Sequence, residues 1–223
     1  MEKFDLKLAS FLRERPSLNA QRERIYSELA DVVGDDDITD EESDLLSYSN
    51  YDIIYPSIIG KTEMIRRSGE AHGEFIITVG DFAVHPKTTE EVQGIVRLAN
   101  IYKIPIVPYA GGSGACHNPV FGGIIVDLRK LNQIIEIDEF SHTATVEAGI
   151  YIADLEDELN RKGFTMEHFP ASYYCACLGG FIANRSAGRL STKYGKIESM
   201  VIGMKVVLPT GEVFRTPAVP AHA

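Results

Sequence analysis

The chain is 223 residues long, enough for one large domain or two small ones, and its 44% hydrophobic and 24% charged residues exclude disordered, collagen-like and coiled-coil architectures. A formal net charge of -10 argues against binding nucleic acid or anionic lipid through bulk charge. Three cysteines, a start (MEKFDLKLAS) without a signal-like apolar segment, and no run of about 18 apolar residues predict a cytoplasmic protein with no integral membrane segment.

In chain order, Phe4, Leu8, Phe11 and Leu12, then Ile25, Leu29, Val32 and Val33, recur at helical spacing around a break at Pro16, which predicts two short helices. The acidic run from Asp35 through Asp44 reads as a solvated loop and helix start, because EF-hand ligand spacing is absent. Residues 47–75 carry no sustained period and read as loop. From Phe75 strand and helix alternate, beginning with the strand-like EFIITVG. A helix then opens after Pro86 with a Thr88–Glu91 capping box and places Val92, Ile95, Val96 and Ala99 on one face. The proline-flanked run 104–107 predicts a buried strand feeding a glycine-rich loop. GGIIVDLRKL, QIIEID and TATVEAG predict three more strands, and Ile152, Leu155 and Leu159 a helix ended by Gly163. The stretch 168–200 reads as irregular, and SMVIGMKVVLPTGEVFRT as two strands joined by a turn near Pro209 and Gly211.

Glycine clusters twice. In IPIVPYAGGSGACHNPVFGG, Gly111, Gly112, Ser113 and Gly114 follow directly on a strand. Without Cβ atoms the backbone can approach a ligand, so its N–H groups can converge on phosphate oxygens, with Ser113 as an added donor. A plain turn between two strands is the alternative from this segment alone. Two familiar phosphate motifs are rejected: a dinucleotide fingerprint counted from Gly112 would need glycine where His117 stands, and a Walker A motif ending at Gly60-Lys61-Thr62 would need it at Tyr55. The second cluster lies in HFPASYYCACLGGFIANRSAGRLSTKYGKIESM, rich in small residues (Ala171, Ala176, Ala183, Ala187, Gly188) and in donors (Ser172, Asn184, Arg185, Ser186). Such a stretch suits an extended planar ring system.

In order and spacing, VHPKTTEEVQGIVRLAN, PIVPYAGGSG, GGIIVDLRKLNQII, VEAGI, HFPASYYCACLGGFIANRSAG and YGKIESMVIGMKVVLPTGE resemble the FAD-binding domain of the FAD-linked oxidases related to vanillyl-alcohol oxidase, from about Phe82 to Thr216. LADVVGDDDITDEESDLLSYS looks like the lead-in of the D-lactate and glycolate dehydrogenase branch, while STKYGKIE and the helix–strand–glycine loop look like alkyldihydroxyacetonephosphate synthase. The resemblance implies an α+β fold: a helical N-terminal lead-in over 1–46, a linker and first strand over 47–81, and an FAD-binding domain of two α/β subdomains over 82–223, with a C-terminal cap domain missing. It implies a diphosphate loop of Pro108, Tyr109, Ala110, Gly111, Gly112, Ser113 and Gly114, with Ala110 where glycine is usual. Pro170, Ala171, Ser172, Tyr173, Tyr174, Cys175 and Ala176 would pass the flavin ring, followed by the paired Gly179 and Gly180 and a further cofactor-contacting turn of Asn184, Arg185, Ser186 and Ala187. Cys177 stands where threonine or serine is usual, which removes one hydroxyl donor from the flavin edge.

FAD is expected to be non-covalent, since the attachment position of histidyl-linked relatives corresponds to Ser113 and not to His117. His168, Cys175 and Cys177 do not make a metal site, for want of a second cysteine pair. Arg185 either meets cofactor or pairs with an acidic surface residue; His85 reads as structural. No catalytic residue is identified. The activity implied is oxidation of a small-molecule 2-hydroxy acid such as D-lactate or glycolate, with two alternatives: an alkyldihydroxyacetonephosphate synthase-like reaction, or a non-catalytic flavin-binding subunit needing a second chain.

Overall fold

A computed structural model describes residue 18 and residues 20–48, 80–114 and 122–217. The helix expected around Phe4 and Leu8, the EFIITVG run, Gly60-Lys61-Thr62, Cys116 and His117 lie outside these residues.

Helix α1 (Arg22–Val33) buries Ile25, Leu29, Ala30 and Val33 and stops at Gly34, whose φ of 93° ends the helical path. A 3₁₀ turn (Asp35–Asp37) leads into β1 (Ile38–Thr39) and α2 (Glu42–Ser47). The acidic run is not wholly solvated. Asp37 is buried and ion-paired with both Lys87 and Lys130. Burial pushes its carboxyl up, but the two lysines outweigh that and hold it below its ordinary value.

Next come β2 (Phe82–Val84), α3 (Thr89–Tyr102), β3 (Ile106–Tyr109) and β4 (Ile124–Asp127). The capping box forms with one offset. Thr88 accepts the Glu91 N–H at 3.1 Å, while the Glu91 carboxylate accepts from Lys87 N–H, one residue before the cap. Strand β3 starts two residues later than the apolar run suggests. Ile104 N–H bonds back to Ala99 of the helix at 3.0 Å, and Pro105 has no N–H to give.

The sheet order is β1-β2-β4-β3, with β4 parallel to both neighbours and β1 antiparallel to β2. Pro108 is tolerated because β3 is an edge strand. Every residue of β4 is buried, which explains its unbroken apolar run Ile124, Ile125 and Val126. On one face Phe82, Val84, Ile124 and Val126 pack with Ile25, Leu29, Ile95 and Ala99 of α1 and α3. On the other, Ala83 and Ile125 pack with Leu45 and Tyr48, against Val107 and Tyr109.

Beyond this sheet, β5 (Ile134–Asp138) and β6 (Thr143–Val146) form an antiparallel pair. They are covered by Leu155 and Leu159 of α4 (Ile152–Arg161). The remaining elements are α5 (Leu178–Ala183), α6 (Ser191–Tyr194) and the hairpin β7 (Lys205–Val207) and β8 (Val213–Arg215). The turn of that hairpin is tied to α3, where Gln93 donates to Gly211 O at 2.6 Å and Asn100 to Pro209 O at 2.7 Å. Helix α5 corrects the reading of 168–200 as irregular throughout. Two glycines hide it from propensity, and tertiary bonds start it: Leu178 N–H donates to Ile150 O and Gly179 N–H to Ala148 O. Among the described residues no helix is long and apolar enough to cross a membrane.

Candidate functional site

Strand β3 carries Pro108 and Tyr109 to the sheet edge and releases the chain through Ala110 into Gly111, Gly112, Ser113 and Gly114. A Cβ on Gly111 would collide with the carbonyl oxygen of Cys175 and stand 2.7 Å from Ala176 Cα. The two glycine segments therefore meet backbone to backbone, at a point only glycine can occupy. Gly112 takes a φ of 62°, and Tyr109 places its hydroxyl where a Gly112 Cβ would go. Among the described residues, the N–H groups of Gly111, Gly112, Ser113 and Gly114 make no hydrogen bond, and no carboxylate lies within residues 108–114. Among the described residues, a Cβ on Gly114 would meet nothing within 4 Å.

Across the junction, residues 170–176 form a tight turn. Tyr173 N–H bonds to Pro170 O at 3.2 Å, and Cys175 and Ala176 N–H both bond to Ser172 O at 3.0 Å. Ala171, Tyr174 and Cys175 are exposed, whereas Ser172 and Tyr173 are half-buried. The chain then runs antiparallel to residues 150–152 through the bridge between Tyr151 and Cys177, which buries Ala176 and Cys177. Burial pushes the Cys177 thiol up to about 11, so in the protein as described it is a protonated, weak donor. Among the described residues no three His, Cys, Asp or Glu side chains converge to hold a metal.

Gly179 is packed against Ala148, whereas Gly180 opens onto free space. Asn184, Arg185, Ser186 and Ala187 stand at the opposite end of α5, about 9 Å along the helix. Asn184 bonds back to Gly180 O at 3.0 Å, and Arg185 takes a φ of 52°. Of the two roles open to Arg185, the structure displays an ion pair with Glu198 at 2.9 Å. The Glu198 carboxyl is held down to about 2 by its own N–H, by Lys196 and by Arg185.

His168 is buried edge-on against Phe181, with Nε2 3.3 Å from Ser186 Oγ and Nδ1 without a partner among the described residues. Burial lowers its pKa. It stays neutral in the fold, while the unfolded chain takes up a proton below about pH 6.5. Folding stability is therefore expected to fall as the pH drops from about 6.5 toward the folded value. Urea midpoints measured across that window check this: a His168→Gln variant should show a flatter slope, and an equal slope would refute the assignment.

One group of residues escaped the sequence reading. Asp127, fully buried at the end of β4, accepts from Arg129 Nε at 2.9 and 3.0 Å, from Arg129 N–H at 3.0 Å and from the Tyr48 hydroxyl at 2.9 Å. Tyr48 Oη is also 2.8 Å from His85 Nε2. Tyr48 meets Tyr109 edge-on at 4.8 Å between ring centroids, and the Arg129 guanidinium lies 5.5 Å over the Tyr109 ring. A carboxylate closing an otherwise apolar strand, IIVD, was the available signal. Tyr48 sits where the sequence has no period and gave none.

Comparison with known proteins agrees with this layout. Residues 80–217 match the family model described as an FAD binding domain. The chain is 32% identical over 209 residues to the uncharacterized FAD-linked oxidoreductase YgcU of Escherichia coli (strain K12), covering 92% of this chain and 41% of that protein. It is 35% identical over 138 residues to the glycolate oxidase subunit GlcD of Bacillus subtilis (strain 168), covering 61% of this chain and 29% of GlcD. A solved alkyldihydroxyacetonephosphate synthase superposes with a TM-score of 0.72 at 26% identity, covering 90% of this chain and 39% of that one. The chain thus spans less than half the length of these relatives. Because the family match runs through the three parallel strands β2, β4 and β3, both glycine segments and the closing hairpin, the chain belongs to the FAD-linked oxidases by virtue of their FAD binding domain.

Proposed function

We propose that this chain binds FAD non-covalently as the cofactor-holding part of a flavin-dependent oxidoreductase acting on a 2-hydroxy acid such as D-lactate or glycolate. The observation that carries the proposal is the seat of Gly111 on the Cys175–Ala176 backbone, which joins an anion loop to a ring-passing turn. The residues suit FAD: among the described residues, four adjacent N–H groups have no internal acceptor and match a diphosphate, and open space beside Gly114 and Gly180 leaves room for it. Pro108, Tyr109 and Ala110 bring the loop to the sheet edge, and Ser113 adds a hydroxyl donor. Residues 170–176 would lie along the ring, Gly179 and Gly180 would let the backbone come close, and Asn184, Ser186 and Ala187 would border the far side. Arg185 would reach the cofactor only by leaving Glu198. FAD, when bound, supplies an acceptor for a hydride equivalent.

The glycolate oxidase relationship supports the substrate class. A second reading, an alkyldihydroxyacetonephosphate synthase-like reaction, is favoured by the structural superposition. Calorimetric titration with FAD is expected to give saturable 1:1 binding, and heat precipitation to release all flavin into the supernatant. No uptake would overturn the proposal, and flavin retained on the precipitate would overturn its non-covalent part. The loaded chain alone is expected not to bleach anaerobically with D-lactate, because bleaching requires a complete active site; in a protein that supplies the remainder of the site, bleaching by D-lactate or glycolate supports the first chemistry and bleaching by neither supports the second.

A further inference from the structure

Under the glycine turn, four side chains close a ring. Tyr109, directly before the loop, fills the space beneath Gly112 with its hydroxyl. Its aromatic ring is held from one side by the edge of Tyr48 and from another by the Arg129 guanidinium. Arg129 is fixed by four hydrogen bonds to Asp127, one from its backbone N–H and three from its guanidinium, and Asp127 accepts the hydroxyl proton of Tyr48, which returns the circuit to its start. With that single proton given to Asp127, the Tyr48 oxygen accepts from His85 Nε2–H, and the buried hydroxyl is satisfied on both sides. Tyr48 directly follows α2, whose Leu45 belongs to the same cluster under Val107 and Tyr109.

We infer that Tyr48 and Tyr109, locked by Asp127 and Arg129, are positioning residues that hold the Gly111–Gly112 turn in the conformation that receives a diphosphate; this rests on the proposed FAD site. The argument is one of preorganisation. A loop whose N–H groups have no partners among the described residues has little of its own to fix it, and ligand affinity falls in proportion to the fraction of time it spends in the receptive form. Asp127 neutralises Arg129, so the ring acts by support from below and not as a phosphate contact. The N-terminal lead-in thereby becomes part of the cofactor site.

The test compares dissociation constants for FAD, ADP and riboflavin in the wild type and in Tyr48→Ala, Tyr48→Phe, Gly111→Ala and Leu29→Ala, the last destabilising α1 away from the loop. Tyr48→Ala is expected to weaken ADP and FAD about tenfold and to leave riboflavin within about twofold, and Tyr48→Phe, which keeps the ring edge, to recover most of the loss. Leu29→Ala should not change ADP affinity. Equal loss of ADP and riboflavin affinity in Tyr48→Ala, or an equal ADP loss in Leu29→Ala, would overturn the positioning role. If Gly111→Ala loses ADP while Tyr48→Ala does not, this inference fails alone; if the wild type takes up neither FAD nor ADP, the proposed cofactor site fails with it.

Discussion

Gly111→Ala is expected to lower folding stability by about 3 kcal/mol and FAD affinity by about 100-fold, the upper range for an added methyl that backbone cannot evade. The atoms it would strike are the carbonyl oxygen of Cys175 and the Cα of Ala176. A flexible side-chain tip would swing aside, but these atoms belong to a turn closed by two hydrogen bonds to Ser172 O. Relief requires separating the two glycine segments, and that separation would remove the arrangement on which cofactor binding depends. Gly114→Ala provides the contrast, since a Cβ there meets no atom of the described residues within 4 Å and its stability should match the wild type. Urea unfolding and FAD titration of both variants decide the matter. Wild-type affinity in Gly111→Ala would show that the junction is not needed for binding.

The second large effect concerns charge. Arg129→Ala leaves the Asp127 carboxylate at zero exposure with the Tyr48 hydroxyl and, at 3.7 Å, the His85 imidazole beside it, and removal of one member of such a pair costs about 3–5 kcal/mol. We place the loss near 3 kcal/mol, because Tyr48 still donates. The Asp127→Ala/Arg129→Ala double variant removes both charges and should lose less than the sum of the two single changes. Strict additivity of the urea midpoints, or a single-variant loss below about 0.5 kcal/mol, would mean that the pair carries little energy.

These residues also mark where the sequence was readable. The unbroken apolar run at Ile124 and the apolar spacing of the helix from Ile152 were legible because their neighbours bury the faces that the pattern marks, whereas the closing hairpin, largely exposed, was legible from its turn around Pro209 and Gly211. Periodicity fails where tertiary bonds override propensity, as in α5, whose first N–H groups are held by Ile150 and Ala148 despite two glycines. At the candidate site the glycine clusters were legible as ligand-approach segments, but their contact was not: nothing local to Gly111 says that Cys175 lies against it. Tyr48 and Asp127 are 79 residues apart, and their bond exists only once the sheet face covered by α2 has formed. Asp37 was misread for the same reason, since Lys87 and Lys130 reach it only through the fold.

The central claim, that residues 108–114 and 170–187 together hold FAD, is tested most directly by hydrogen–deuterium exchange of the chain with and without saturating FAD. The free N–H groups of the loop should exchange fast in the unliganded protein and slow on binding, with matching protection across the 170–187 turn and α5. Protection confined to other segments, with FAD demonstrably bound, would contradict the claim.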